Sequence, residues 1–200
     1  MRAIPKQPAV CRDFWRALRR PPRRDRVGPD TEEHAIITFT DYGFGPQSRN
    51  RINAAADPSP AGAVAALETF YYALNHCDIE AMAAVWSPHE LAQLNNPLGG
   101  ILRGGAEAVG LYQRIFDSTT RVQVTFGDAV SYRQHTSAVF AGRETGSYTV
   151  TGQAPRALEI RTSRFFAYSD AIERWVQLHH HGSIDDPDAL RAYQRAVAPE

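Results

Sequence analysis

The hydrophobic pattern of this chain changes period once, near Ser118, and that switch restricts the folds open to it. Upstream, apolar residues recur at steps of three and four; downstream they alternate with polar ones. Ser59 can cap a helix whose first position is Pro60, with Val64, Leu67, Tyr71 and Leu74 forming one stripe. Asn75-His76-Cys77 ends it, and Asp78 opens a second helix that buries Ile79, Met82, Val85 and Trp86. Turn chemistry over residues 95–100 separates two short strands, 91–94 and 101–103. A third helix follows Gly104-Gly105, with Val109, Tyr112 and Phe116 on one face. Beyond Ser118, Val122, Val124 and Phe126 alternate, and strand runs follow at 137–150, 157–168 and 174–183. A short helix over 188–198 closes the chain. Helices first and a long antiparallel meander after predict an α+β fold with the helices on one sheet face.

Charge divides the chain where periodicity does not. Its 22 basic and 22 acidic residues cancel, yet residues 1–29 hold nine basic side chains against Asp13 and Asp25. The run Arg19-Arg20-Pro21-Pro22-Arg23-Arg24 repels itself and contains two prolines, so it is expected to be disordered; residues 1–57 are expected to form a basic, poorly ordered extension whose short strand at 35–39 packs on the main domain as an arm. The folded domain is expected over 58–200. Apart from Phe14 and Trp15, no aromatic residues lie among these arginines and no nucleic-acid-binding motif accompanies them, so no nucleic-acid partner is expected. No apolar run approaches the ~20 residues of a membrane-spanning helix, and no signal-like stretch follows the basic start, so the expected location is the cytoplasm. Cys11 and Cys77 are too few for a disulfide scaffold or a zinc finger.

Three stretches carry a family resemblance. Asn75-His76-Cys77-Asp78-Ile79-Glu80-Ala81-Met82 is similar to the turn between the first two helices of SnoaL-like proteins, a branch of the nuclear transport factor 2-like superfamily. Leu102-Arg103-Gly104-Gly105-Ala106-Glu107-Ala108-Val109 resembles the entry to their third helix, and Trp175 to Ser183 resembles their last strand. The last stretch is also similar to the association domain of calcium/calmodulin-dependent kinase. Over about residues 60–186 the resemblance implies a curved sheet wrapped around a helix as a cone, with a pocket at the open end and dimerisation through the sheet. Where ketosteroid isomerases of this fold carry their aspartate base before a Pro-x-Gly turn, this chain has Asn96-Pro97-Leu98-Gly99, and an amide takes no proton near neutral pH. The family's helix-one tyrosine falls on Phe70, with Tyr71 and Tyr72 pointing elsewhere. Isomerase chemistry is therefore not expected.

Two-residue periodicity places His179 and His181 on one face of the last strand with Trp175 and Gln177, and Val176, Leu178 and His180 on the other. If the first face is concave, His179 and His181 are the candidate catalytic acid/base groups, as in the histidine-based chemistry of scytalone dehydratase on this fold. The alternatives are cross-strand hydrogen bonds or a dimer interface. Two histidines on one strand face fall short of a metal's ligand set, so no metal and no cofactor are expected. Arg143 and Arg164 lie within apolar strand runs; pointing inward, either would favour an anionic group on the ligand. Ion pairs with Glu144 or Glu159, or exposure, are the alternatives. With Tyr72, Trp86, Asn96, Tyr112 and Trp175, these arginines make up the candidate ligand-binding set. Three functions stay open: a small-molecule binder for an apolar ligand with or without an anionic group, a cofactor-independent dehydratase or cyclase, and an oligomerisation module.

Overall fold

In the computed structural model of the chain, the described residues are 36–97, 99–184 and 186–197. The basic block, Cys11, Leu98 and Ala198 lie outside them.

Local chemistry accounts for the helix boundaries. Helix α1 (Pro60–His76) starts where the Ser59 hydroxyl accepts from the Ala61 N–H, and stops at Cys77, whose backbone is left-handed with φ 53°. Helix α2 (Ile79–Val85) is capped by the Asp78 carboxylate accepting from the Ala81 N–H. Strands β2 (Gln93–Asn95) and β3 (Leu102–Arg103) form a short hairpin leading into α3 (Gly105–Asp117). The meander comprises β4 (Thr120–Arg133), β5 (Ser137–Val150), β6 (Arg156–Ser169) and β7 (Arg174–Ser183), followed by α4 (Pro187–Val197).

One curved sheet results, in the order β1-β4-β5-β6-β7-β2-β3, with β1 spanning Ile36–Thr40. All neighbours pair antiparallel except β2 and β7, which run parallel. Helix α1 packs along the four long strands and buries Ala63, Ala66, Leu67, Phe70, Tyr71 and Leu74. That face is wider than the single stripe read from the sequence, because the sheet wraps round the helix.

Residues 36–57 join the same compact unit, His34–Glu200, as the helices and the sheet. Strand β1 pairs with β4 from Ile36↔Arg133 to Thr40↔Ala129, and Phe44 bridges Phe126. A 3-10 turn at Ile52–Ala56 sits beside α1, where the Arg51 N–H donates to Thr69 Oγ1 at 2.9 Å. Gly62 is required at this contact: a Cβ there would lie 2.0 Å from the Asp57 carbonyl oxygen and 2.6 Å from Trp175 Cδ1.

Two irregularities break the strand alternation. Between β4 and β5 the register shifts at Gly127/Val130, where Asp128 has φ 47°. Between β6 and β7 it shifts so that Phe165 faces His179 while Phe166 faces Gln177, leaving Leu178 unpaired as a bulge. The second shift decides which histidine enters the cone.

Candidate functional site

A one-residue bulge reverses the facing of every residue beyond it. Trp175 and Gln177 point inward as alternation predicts, but past Leu178 the inward positions are His180 and Gly182. His179 and His181 turn to the outer side, so neither lines the cone, contrary to the sequence-based assignment. His180 is 4% exposed and takes their place.

His180 lies opposite Arg164 on β6, and Arg164 organises the interior. Its side chain is 0% exposed. Its Nη2 donates to Glu144 Oε1 at 2.7 Å, its Nε to the Tyr71 hydroxyl at 2.9 Å and its Nη1 to Gln177 Oε1 at 3.1 Å. Tyr71 in turn donates to Glu144 Oε1 at 2.9 Å. The guanidinium carbon sits 3.6 Å from the centroid of Phe70, so the position that the resemblance gives to a tyrosine provides an aromatic face for the cation. On the neighbouring wall, the Tyr112 hydroxyl is 3.4 Å from His180 Nδ1, and His180 Nε2 is 3.0 Å from Thr162 Oγ1.

Burial sets the protonation states here. It works against the Arg164 charge, but Tyr71 and Glu144 outweigh it and raise the pKa further. His180 is held well below the ordinary imidazole value by burial and then by the Arg164 charge, so it is neutral at pH 7. Burial pushes Tyr112 up to about 12 and raises Tyr71 and Tyr193 as well. At neutral pH the cluster therefore presents one closed ion pair, phenol O–H groups and a neutral imidazole.

Leu74, Asn96, Tyr112, Ile160, Glu144 and Arg164 are among the residues around a hollow of about 40 Å³, with His180 and Tyr193 completing its wall. That is room for about three water molecules. Tyr193 of α4, 6% exposed, packs against Tyr148 at 5.2 Å between ring centroids. One link between α4 and the sheet is the bond from Thr120 Oγ1 to the Ala196 carbonyl.

Of the candidate ligand-binding residues, Asn96, Tyr112 and Arg164 line this hollow. Arg143 does not: its side chain is 42% exposed and lies 3.8 Å from Glu159, because alternation along β5 turns Glu144 inward and its neighbour outward. Tyr72 also lies elsewhere, half-buried and stacked on His76 at 4.5 Å. Trp175 is a core pillar whose Nε1 donates to the Asp57 carbonyl at 3.0 Å. Trp86 is buried and bridges Gln177, outside the hollow. Tyr71, assigned elsewhere from the sequence, is central to the cluster, since α1 faces strands on several sides.

Glu144, His180 and Tyr193 were not singled out from the sequence for this site. Glu144 did carry a signal, because it shares strand parity with Phe140 and Tyr148 and is thereby an acid at an inward position. Among the described residues no group of three or more His, Cys, Asp or Glu side chains is placed to hold a metal ion. No helix among them is long and apolar enough to cross a membrane.

Comparison with known proteins places this arrangement in context. A family model described as the SnoaL-like domain matches residues 64–187. A Thiobacillus denitrificans structure, provisionally described as a calcium/calmodulin-dependent kinase type II association domain, is 24% identical, with TM-score 0.51. The match covers 64% of this chain and 97% of that one. A Streptomyces avermitilis protein, provisionally described as a dehydratase of the nuclear transport factor 2-like family, is 20% identical over 60% of this chain and 91% of its own, with TM-score 0.51. A ketosteroid isomerase-like protein from Erwinia carotovora atroseptica is 17% identical over 62% and 94%, with TM-score 0.53. At these identities the likeness shows the fold alone. No curated protein matches the chain.

Proposed function

The chain belongs to the SnoaL-like domain family, and from that premise we propose that it binds a small, uncharged organic ligand with a carbonyl or hydroxyl acceptor inside the cone. The observation that carries this reading is the ion pair beside the hollow, Arg164 to Glu144 at 2.7 Å, with side chains 0% and 4% exposed. Burying two charges is a poor route to stability, since apolar residues of similar volume commonly do as well or better. A polar interior is useful when something polar must be recognised there. The Tyr112 hydroxyl, on the wall of the hollow and protonated at neutral pH, suits an incoming acceptor or water. The internal neutralisation of Arg164 favours an uncharged ligand over the anionic one considered from the sequence. Admitting anything larger than water requires Tyr193 and α4 to yield.

The test is calorimetric titration of cyclohexanone and methylcyclohexane into the wild type and a Tyr193→Ala variant. Binding of the ketone that exceeds the hydrocarbon's, and is weakened by Tyr112→Phe, supports the reading. Equal binding of both probes, or of neither to either protein, refutes it.

A cofactor-independent lyase or cyclase is the second reading. It is favoured by the placement of neutral His180 against the Tyr112 hydroxyl, an acid/base pair on the wall of the hollow. Pairing of two copies through the sheet fits either function. On the outer sheet face, Ile37, Tyr132, Val139 and Phe165 form one cross-strand row, with Phe39 beside it, and Ile37 and Phe39 are 64% and 67% exposed.

A further inference from the structure

A groove of about 630 Å³ lies outside the cone, between the end of α3, the β5–β6 turn and α4. Three exposed arginines reach it from three separate elements: Arg114 from the last turn of α3, Arg156 from the first residue of β6 and Arg195 from the last turn of α4. None of the three forms an ion pair among the described residues. This convergence occurs in an acidic setting, since residues 36–200 contain thirteen arginines against seventeen acids. Three like charges brought together with one acid among them, Asp117, repel one another, and an anion between them relieves that repulsion.

Two further features suit an anion. The carbonyl end of α3 would ordinarily oppose negative charge. Here Arg121 Nη1 donates to the Phe116 and Ser118 carbonyls at 3.1 and 2.8 Å, which offsets that end. The one acid on the groove wall, Asp117, has both carboxylate oxygens engaged by Gln113 Nε2 at 2.9 Å. Tyr148 adds an aromatic surface, and the volume is in the range of small-molecule sites.

We propose that this groove binds a multiply charged oxyanion, a phosphorylated or polycarboxylate small molecule, through Arg114, Arg156 and Arg195. The site is separate from the cone and stands whether or not the cone binds a ligand.

The experiment is calorimetric titration of the full chain at low ionic strength with inorganic pyrophosphate and, in parallel, with citrate. Arg156→Gln and Arg195→Gln are compared with Arg103→Gln, which removes the same charge from an exposed position outside the groove. Binding of at least one probe is expected, weakened tenfold or more by either groove variant and less than twofold by Arg103→Gln; charge-assisted hydrogen bonds have the strength for such a loss. A preference for pyrophosphate assigns the phosphorylated class, and one for citrate the polycarboxylates. The two groove variants alter different elements, so misfolding of one, checked by circular dichroism, leaves the other informative. Failure of both probes to bind at millimolar concentration overturns the proposal, as does an equal loss in Arg103→Gln.

Discussion

Replacing Glu144 with Gln keeps the side-chain shape and removes the charge that pairs with Arg164. The guanidinium is then left buried beside phenols and an amide, with no anion at 2.7 Å. Breaking a buried pair from one side typically costs about 3–5 kcal/mol, because the surviving charge stays out of water. For a domain of this size that is roughly 6–20 °C in melting temperature, and a large share of a total stability of about 5–15 kcal/mol. Arg164→Met should lose a similar amount by leaving Glu144 unpaired, together with the cation's contact with Phe70. The double variant Glu144→Leu/Arg164→Met removes both charges, and its expected stability lies within about 1 kcal/mol of the wild type. Urea unfolding followed by fluorescence of buried Trp86 and Trp175 measures all four proteins. A double variant that recovers stability but binds no ketone identifies the pair as a recognition device. If it is as unstable as either single variant, the pair is a structural anchor, and the argument for a ligand in the cone loses its basis.

Other perturbations probe separate parts of the molecule. His180 is buried neutral with its pKa lowered, so the unfolded chain takes up a proton below pH ~6.5 that the native one refuses. Stability from this group is therefore present above that pH and falls by about 1.4 kcal/mol per unit below it, until the native pKa is reached. His180→Asn should show a flatter dependence in denaturant titrations from pH 7.5 to 5, and an unchanged slope would contradict the assignment. Tyr193→Ala removes a buried aromatic and should cost about 3 kcal/mol while enlarging the hollow, read by thermal unfolding with and without cyclohexanone. Phe39→Lys places a charge beside the exposed apolar row; sedimentation equilibrium should show a wild-type dimer and a monomeric variant, and identical masses would remove that role for the outer face.

The parts legible in the sequence are those governed by local chemistry. Ser59, Asp78 and Cys77 mark helix ends through their own side-chain or backbone preferences, and the two-residue repeat gives β5 and β7 their limits. The cone interior was less legible because facing depends on register, a property of two strands at once. Three consecutive histidines conceal the bulge at Leu178, since every shift still puts a histidine inward. Tyr71 lies on the expected apolar stripe, but its hydroxyl finds Glu144 73 residues later, a contact no local pattern encodes. Arg164 was an inward candidate from its setting, yet its partner depended on which of the adjacent residues Arg143 and Glu144 entered the cone.

The cluster also limits what chemistry the cone could perform. Arg164 gives the interior its polarity, and the same charge joins burial in keeping His180 unprotonated. An imidazole in that condition can accept a proton near neutral pH, but it has no second proton to give as a strong acid. Tyr112, with its pKa near 12, retains its proton and can donate a hydrogen bond without becoming a base itself. A reaction here would thus pair imidazole as base with phenol as hydrogen-bond donor. Its rate should stay level through neutrality and fall only as acid begins to protonate His180, below the pH at which an exposed histidine would titrate. A profile falling through pH 6.5 would instead implicate a more exposed imidazole and exclude His180 as the base.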